Sequence, residues 1–242
     1  MKTSEVKREL LKRANPIKAK LLSGFFKTGK GEYGEGDKFL GIMVPVQRII
    51  AKKFKDLPLN EVRKLINDQY HEVRLTGLLI LIYKIKRANE VTHKTVTDFY
   101  LSNTKQINNW DLVDVTARDI VGGYLYDFNK DRKILYKLAR SKNLWERRIA
   151  TISTFYFIGK NDFSDSIRIA EILLTDNHDL IHKAVGWMLR EMGKRDKKEL
   201  IKFLKKHARE MPRTMLRYSI ERLNLREKEK YMRIRNPQGR PA

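Results

Sequence analysis

The sequence predicts an all-α fold built from pairs of helices, and three observations support that prediction. Apolar residues recur at three- and four-residue spacing through most of the 242-residue chain, whereas the alternation typical of β-strands is scarce. Several of the few prolines stand at predicted helix starts, at Pro16, Pro45, Pro58 and Pro212. Similar segments also recur along the chain at nearly constant intervals.

Each helix follows from a stretch of helical periodicity bounded by short polar segments. The breaks at Asn129-Lys130, 159–161 and Asp176-Asn177 combine residues that favour turns over helices. Helices joined by such short connections are expected to form antiparallel hairpins. In chain order the helices are predicted at 3–13, 16–25, 45–55, 59–69, 71–86, 91–101, 110–126, 130–140, 144–158, 163–174, 178–192, 196–208 and 213–223.

Two segments interrupt the helical pattern. Segment 27–41, KTGKGEYGEGDKFLG, holds five glycines and contains a GxGxxG match from Gly29 to Gly34. Such a match indicates nucleotide binding only between a strand and a helix, so we interpret the segment as an ordinary loop. The end of the chain, 226–242, is basic and is expected to be a flexible tail. We therefore predict one domain over 1–225, followed by that tail.

Four segments can be stacked as internal repeats, and a fifth, 213–223, fits over fewer residues. They are YHEVRLTGLLILIYKIK (70–86), NWDLVDVTARDIVGGYL (109–125), LWERRIATISTFYFIGK (144–160) and DLIHKAVGWMLREMGKR (179–195). Their shared register position falls, at intervals of 40, 34, 35 and 34 residues, on Arg74, Asp114, Arg148, Lys183 and Arg217. Such periods favour a solenoid of helix pairs, and because tetratricopeptide signature residues are absent we predict a HEAT-like one. Stacked pairs of this kind curve, and one helix of each pair lines a concave face.

The shared register position is basic in four of these five segments, in a chain that is strongly basic overall. With 52 Lys+Arg against 29 Asp+Glu, the formal net charge is +23, which indicates a polyanionic partner. Cations recurring along a concave face can follow a phosphate backbone, since each contact releases condensed counterions. The alternative is that they are solvated charges near helix starts, although the helix dipole disfavours cations there. We therefore predict a concave basic face.

Asp114 is the acid that interrupts this basic register. A carboxylate repels phosphate, so its position makes it a candidate for chemistry rather than for DNA attraction. Trp110 and Trp187 each lie four residues, about one helical turn, from the register position of their own segment. Two plainer interpretations are that the tryptophans belong to the core and that Asp114 pairs with Arg118. Asp111 falls in a predicted first helical turn, where an acid favours the helix dipole, and is interpreted as structural.

Other kinds of site lack the residues that they need. The chain has no cysteine, which excludes disulfides and thiolate metal sites. His178 and His182 are spaced i,i+4 but lack the glutamate and third ligand of a zinc-protease helix, so we expect no metal and no cofactor. The first residues show no secretory signal, and the apolar run 75–83 is too short to span a bilayer. We expect a soluble, cytoplasmic monomer without membrane contact, associated with the nucleoid if the source is prokaryotic.

Several of these motifs together resemble a known family. WDLVD (110–114), LWERR (144–148) and HKAVGWMLRE (182–191) are similar to motifs of the AlkD-like DNA alkylation-repair glycosylases, which are built from HEAT-like repeats. KTGKGEYGEGDKFLGIMVPVQR (27–48) resembles the stretch that opens the repeats in many members, and the similarity runs from about 15 to 223 in the expected order. The resemblance implies hydrolysis of the N-glycosidic bond of cationic N3- or N7-alkylated purines in duplex DNA, which leaves an abasic site.

The resemblance also implies roles for individual residues. Asp114 matches the catalytic aspartate of the family, and Trp110 and Trp187 match the aromatic residues that flank the lesion. An aromatic residue of the N-terminal helix pair maps to Phe25 or Phe26, without the tyrosine hydroxyl that some relatives contribute there. The residues predicted to contact DNA are Arg74, Arg148, Lys183, Arg190 and Arg217.

The chemistry suggested by the residues themselves agrees with that implication. A cationic alkylated purine leaves without a strong general acid, and one carboxylate can stabilise an oxocarbenium-like sugar and position water. Arg148 matches a family residue at the DNA backbone near the lesion, and no lysine stands out as a Schiff-base nucleophile. We therefore predict a monofunctional glycosylase without lyase activity. The alternative is a non-catalytic HEAT-like protein that binds nucleic acid or acts as a scaffold, with salt-sensitive binding and no base release.

Overall fold

The computed structural model describes residues 1–128 and 131–234. Contacts divide the chain into two units, Met1–Thr116 (unit 1) and the residues from Ala117 onward (unit 2). The helices of unit 1 are α1 (Thr3–Leu11), α2 (Pro16–Phe25), α3 (Val44–Lys53), α4 (Leu59–Ile66), α5 (His71–Ile85), α6 (Glu90–Ser102) and α7 (Trp110–Asp114). Those of unit 2 are α8 (Gly123–Asp127), α9 (Lys133–Ala139), α10 (Leu144–Gly159), α11 (Ser164–Ile172), α12 (Asp179–Arg195), α13 (Lys197–His207), α14 (Arg213–Ser219) and α15 (Leu225–Met232). A 3-10 turn at Thr104–Gln106 and a π turn at Arg118–Gly122 are also present.

The all-α prediction is confirmed over 1–128 and 131–234, where no strand forms. Pro16 is the first residue of α2 and Pro45 the second of α3, while Pro58 and Pro212 directly precede α4 and α14. Proline suits these positions because the first helical turn offers its N–H groups no intrahelical acceptor and proline has none to satisfy. Asparagine side chains accept a backbone N–H at the start of several helices, at Asn15, Asn89, Asn109, Asn143 and Asn224.

Unit 1 is organised around α5. This helix packs against α3, α4, α6 and α7, and α1 packs against α3 and α4. The residues from Leu78 to Leu81 are fully buried, as is Leu75 on the preceding turn. A helix that is apolar on all sides has to be surrounded by other elements, which explains why four helices pack against α5. Because four helices pack against α5, its first residues are held in a fixed position within unit 1.

The Gly-rich loop, residues 27–42, is attached to the start of α5. The buried Glu72 carboxylate accepts the backbone N–H groups of Leu40, Gly41 and Ile42 at 2.9, 2.8 and 3.2 Å. Gly41 has a φ of +81°, and a Cβ there would press on the carbonyl oxygen of Asn15, so only glycine fits this close approach. The loop is therefore held by a buried carboxylate and by close backbone packing.

In unit 2, α10, α12 and α14 pack in succession. The other helices flank this row, with α9 and α11 against α10, and α11 and α13 against α12. Arg148, Lys183 and Arg217 are each the fifth residue of their helix in the row, and Asp114 is likewise the fifth residue of α7. Arg74 is the fourth residue of α5. The repeat register read from the sequence therefore corresponds to nearly equivalent helix positions.

The helix predicted over 110–126 is broken in the structure. α7 ends at Asp114: the Val115 N–H still bonds to the Asp111 carbonyl at 3.2 Å, but the Thr116 N–H bonds to the Val113 carbonyl in a tighter, three-residue turn at 3.1 Å. The Thr116 hydroxyl also donates to the Leu112 carbonyl, a contact that favours a bend in a helix. The chain then resumes as the π turn and α8. Local periodicity could not show this break because every residue involved is compatible with a helix.

The flexible tail predicted from residue 226 is incorrect for the described part of that segment. α15 covers Leu225–Met232, and Tyr231 is buried. The Arg213 guanidinium donates to the carbonyls of Met232 and Ile234 at 2.8 and 3.0 Å, which fixes the end of this helix. The rest of the predicted tail, 235–242, and the predicted break at Asn129-Lys130 lie outside the described residues. The single domain over 1–225 and the concave basic face stay predictions.

Candidate active site

Asp114 is the last residue of α7 and is partly exposed. On the buried side of the same turn, the Tyr100 hydroxyl is hydrogen-bonded to the Thr116 hydroxyl at 2.9 Å. Burial raises the pKa of Tyr100, the Thr116 hydrogen bond opposes that rise, and the negative charge of Asp114 adds to it. The phenol is therefore neutral, and the Asp114 carboxylate lies close enough to influence it while remaining in reach of solvent.

Trp110, the first residue of α7, lies in a cluster of aromatic rings. The Phe26 ring stacks on the indole with 5.2 Å between centroids, and the Phe25 ring meets it edge-on at 5.9 Å. Phe25 is 63% exposed and Phe26 only 7%. Phe26 is therefore buried against the indole, whereas most of the Phe25 side chain is exposed, and the lesion-side role of either stays a prediction. Phe25 also ends an exposed apolar row on α2 that begins with Ile17 and Leu21.

Sequence reasoning missed Tyr33, which the Gly-rich loop brings to Trp110. The indole Nε1 donates a hydrogen bond to the Tyr33 hydroxyl at 3.2 Å. The resemblance indicates that the N-terminal helix pair contributes no tyrosine hydroxyl, because the matching positions, Phe25 and Phe26, are phenylalanines. A hydroxyl is present here, but it comes from the loop. The signal for it was the single tyrosine within the glycine-rich segment.

His71, at the start of α5, is the centre of a buried charged network next to this cluster. Its Nε2 lies 2.8 Å from Asp111 Oδ2, and its Nδ1 lies 3.2 Å from Asp37 Oδ2. The rings of Phe26 and Phe39 both pack against the imidazole, at centroid distances of 5.0 and 4.7 Å. Burial lowers the pKa of His71, but the hydrogen bonds to the two carboxylates outweigh it and raise the pKa to about 9. The imidazole is therefore cationic at neutral pH, and Asp111 is one of its buried counter-ions.

Arg74, predicted to contact DNA, belongs to the same buried network. It is 4% exposed, and its guanidinium bonds to Asp37 at 2.7 Å and to the Asp68 carbonyl at 3.2 Å. Burial raises the pKa of Asp37, but the His71 hydrogen bond and the Arg74 charge outweigh it and hold that pKa below its usual value. The structure places Arg74 in an internal ion pair, and its contact with DNA stays a prediction that requires this pair to open.

In unit 2, Trp187 is partly exposed and packs on a neighbouring ring. Its indole meets Phe155 edge-on at 5.6 Å, and its Nε1 donates to Glu191 Oε1 at 3.2 Å. The Arg118 guanidinium lies 4.9 Å from the centre of the Phe155 ring. Trp145, by contrast, is buried. Trp110 and Trp187 are therefore the two tryptophans with accessible surface. Their partial exposure argues against the interpretation that they are core residues.

The remaining cations predicted to contact DNA differ in exposure. Arg148 is 5% exposed and donates to a backbone carbonyl at the start of α12. Arg190 forms ion pairs with two glutamates. Lys183 has a side chain 40% exposed, paired with Asp179 at 2.6 Å, and Arg217 is exposed. Contact with DNA stays a prediction for all four, and Lys183 and Arg217 need the least rearrangement to make it.

The two nearby histidines have local partners. His178 Nδ1 accepts the Leu180 N–H at 3.2 Å at the start of α12, and His182 bonds to the Asp176 carbonyl. Among residues 1–128 and 131–234, no three histidine or acidic side chains are grouped as they would be around a metal ion. Within that same portion, no helix has the length and apolar character required to cross a membrane.

Comparison with known proteins agrees with the arrangement of helices. No curated protein sequence matches the chain. Among solved structures, a predicted DNA alkylation repair enzyme from Enterococcus faecalis is similar, with a TM-score of 0.66 and 17% identity over 88% of this chain and 97% of that one. At that identity the similarity shows the fold. The model of the family described as DNA alkylation repair enzyme matches residues 6–223, a range that includes α7 and the row formed by α10, α12 and α14. The chain therefore belongs to the DNA alkylation repair enzyme family.

Proposed function

We propose that the chain is a monofunctional DNA N-glycosylase that releases cationic N3- and N7-alkylated purines from duplex DNA and leaves an abasic site. The observation that carries the proposal is Asp114, a partly exposed carboxylate one helical turn from Trp110, whose indole is fixed by neighbouring aromatic rings. Membership of a DNA repair family supports DNA as the substrate. The net charge of +23 supports a polyanionic substrate as well.

The proposed chemistry needs one acid and several aromatic faces. An alkylated purine that already carries positive charge leaves as a neutral base, so its departure needs no proton from the enzyme. Positive charge then develops on the sugar, and the Asp114 carboxylate stabilises it and orients the attacking water. Indole faces at Trp110 and Trp187 each add about 0.5–2 kcal/mol of cation–π attraction to the cationic sugar and base. Phe25, exposed beside Trp110, is assigned the lesion-side contact.

The basic residues of unit 2 are assigned to the DNA backbone. Lys183 and Arg217 take the first contacts in the proposal, because their side chains are exposed. Arg148 and Arg190 contribute after exchanging their present carbonyl and carboxylate partners for phosphate oxygens. Phosphate contacts hold the sugar in place against the carboxylate, which is how binding energy lowers the barrier to hydrolysis.

The test compares Asp114→Asn with Asp98→Asn on methylated duplex DNA. Asp98 is a suitable control because it lies in the same unit, on α6, with a side chain 59% exposed. Chromatography of the freed bases should show 7-methylguanine and 3-methyladenine from the wild type and from Asp98→Asn. Asp114→Asn should release them at least about 100-fold more slowly, while DNA affinity stays within about threefold of the wild type.

Two further outcomes distinguish this proposal from its alternatives. Undiminished base release by Asp114→Asn would remove the proposed role of the carboxylate. Salt-sensitive DNA binding by the wild type, with no base released from any alkylated substrate, would favour the non-catalytic nucleic-acid-binding or scaffold protein instead. The product strand should stay intact until alkali is added, since strand breakage before that step would indicate lyase activity.

A further inference from the structure

Three consecutive residues at the start of α7 are each bound to the Gly-rich loop or to the start of α5. The Asn109 side-chain amide lies 3.5 Å from Asp37 Oδ2, and the Trp110 indole donates to Tyr33 at 3.2 Å. Asp111 Oδ2 lies 2.8 Å from the Nε2 of the histidine that begins α5. Of these contacts the last is the shortest.

That histidine, His71, touches each of the parts that meet at this place. One ring nitrogen faces Asp111 on α7 and the other faces Asp37 on the Gly-rich loop, while Phe26 and Phe39, which stack on each other, both pack against the imidazole. Its side chain is 2% exposed, so neither solvent nor substrate reaches it. His71 therefore joins α7, the loop and the aromatic rings that support the tryptophan, without contacting the reacting atoms itself.

We propose that His71 is the positioning residue of the site, which by holding Asp111 sets the orientation of Trp110 and Asp114 on α7. The inference rests on the proposed function wherever base release is the readout. α7 has five residues, too few for its own hydrogen bonds to hold it in one orientation. Asp111 lies between Trp110 and Asp114, so a rotation of α7 that breaks its bond to His71 moves both.

Because of the charges around His71, α7 depends on this residue more than the Gly-rich loop does. Asp37 has a second cationic partner, because Arg74 donates to its other oxygen at 2.7 Å. The other oxygen of Asp111, Oδ1, accepts a hydrogen bond from the backbone N–H of the adjacent Leu112. The remaining acid at the start of α5, Glu72, is directed at the backbone N–H groups of the loop. A neutral imidazole can donate through one nitrogen only, so its deprotonation removes the His71 hydrogen bond from one of the two carboxylates.

Two substitutions separate the contacts of His71. In His71→Gln the side-chain amide nitrogen can reach the place of Nε2 and donate to Asp111. In His71→Asn the shorter amide reaches the place of Nδ1 and donates to Asp37. Both variants lose one hydrogen bond and the positive charge, so a purely structural role for His71 predicts similar effects for the two. The proposed role predicts that they differ, because only His71→Gln keeps the bond to α7.

The first measurement is base release from methylated duplex DNA between pH 7 and pH 10. At pH 7.5, His71→Asn should lower kcat at least about 10-fold with KM within about threefold of the wild type, whereas His71→Gln should keep kcat within about threefold. The wild-type kcat should fall as the pH rises through about 9, and the His71→Gln profile should lack that fall. Equal kcat values for the two variants would overturn the proposal.

The second measurement needs no DNA. The chain has three tryptophans, so a ¹⁵N–¹H spectrum contains three indole signals, and Trp110→Phe assigns the one of interest. His71→Asn should shift the Trp110 signal and leave those of Trp145 and Trp187 unchanged, and an unmoved Trp110 signal would overturn the positioning role. A wild type that releases no base refutes the proposed function alone, since the spectrum still decides the role of His71. If the His71 variants do not fold, Asp111→Asn takes their place in the same spectrum, with the same expected shift.

Discussion

The buried imidazole of His71 should make the stability of the folded protein depend on pH in the alkaline range. The two carboxylate partners raise its pKa from 6.5 to about 9 in the folded protein. A group that binds its proton more tightly when folded stabilises the folded state fully below its unfolded pKa, and this stabilisation is lost as the pH rises through the folded pKa. Since each pKa unit corresponds to about 1.4 kcal/mol, the rise corresponds to about 3 kcal/mol of unfolding free energy.

Urea unfolding at a series of pH values between 6 and 10 measures this contribution. The wild type should lose about 3 kcal/mol of unfolding free energy relative to His71→Gln across the window from 6.5 to about 9. Other titrating groups, including the many lysines, are the same in both proteins and cancel in the difference. The reasoning is refuted if the two proteins show the same pH dependence, because the imidazole would then have an ordinary pKa and could not be the shared donor of Asp111 and Asp37.

Three further sets of substitutions test the packing of the site and of the core of unit 2. Gly41→Ala should lower the unfolding free energy measured in urea by at least about 3 kcal/mol, because backbone strain adds to the clash with a carbonyl. Gly31→Ala, at φ +79° in open space, should lower it by about 1 kcal/mol. Equal losses would contradict the close approach at Gly41. Tyr33→Phe removes the hydrogen-bond acceptor of Trp110 and should lower kcat for base release by about 2- to 10-fold, and an unchanged rate would show that this bond is dispensable. Phe157→Ala empties a fully buried site and should lower Tm by roughly 10 °C in calorimetry, so a shift of a degree or two would indicate that the surrounding helices collapse into the space.

The helices were predictable because their signals are local. A proline or asparagine at the first turn and apolar residues at three- and four-residue spacing act within one or two turns, and the helix starts that they predict occur in the structure. The register position was predictable for the same reason, since Asp114, Arg148 and Lys183 each occupy the fifth position of a helix. Periodicity therefore identifies the equivalent helix positions without information on tertiary contacts.

The surroundings of those positions were not predictable, because they depend on contacts between distant parts of the chain. Tyr33 and Trp110 are 77 residues apart, and the Gly-rich loop that joins them has no periodicity from which a position could be inferred. Arg74 falls at the same register position as the exposed Arg217, yet it is buried and paired with Asp37 from the loop. A sequence pattern fixes which face of a helix a residue occupies, but a loop that covers this face can turn a surface cation into an internal one.

The two acids of α7 show how a contact between distant parts of the chain gives two similar residues different surroundings. Asp111 and Asp114 lie three positions apart on one five-residue helix, and local pattern separates them only by their place in it. Asp111 acquires a buried cationic partner from 40 residues earlier in the chain, whereas Asp114 ends the helix with part of its surface exposed. The buried carboxylate can then hold the helix while the exposed one remains in reach of a substrate. A basic protein that uses a carboxylate for chemistry needs such an arrangement, because an acid on a short, unsupported helix would be drawn to any of the neighbouring cations.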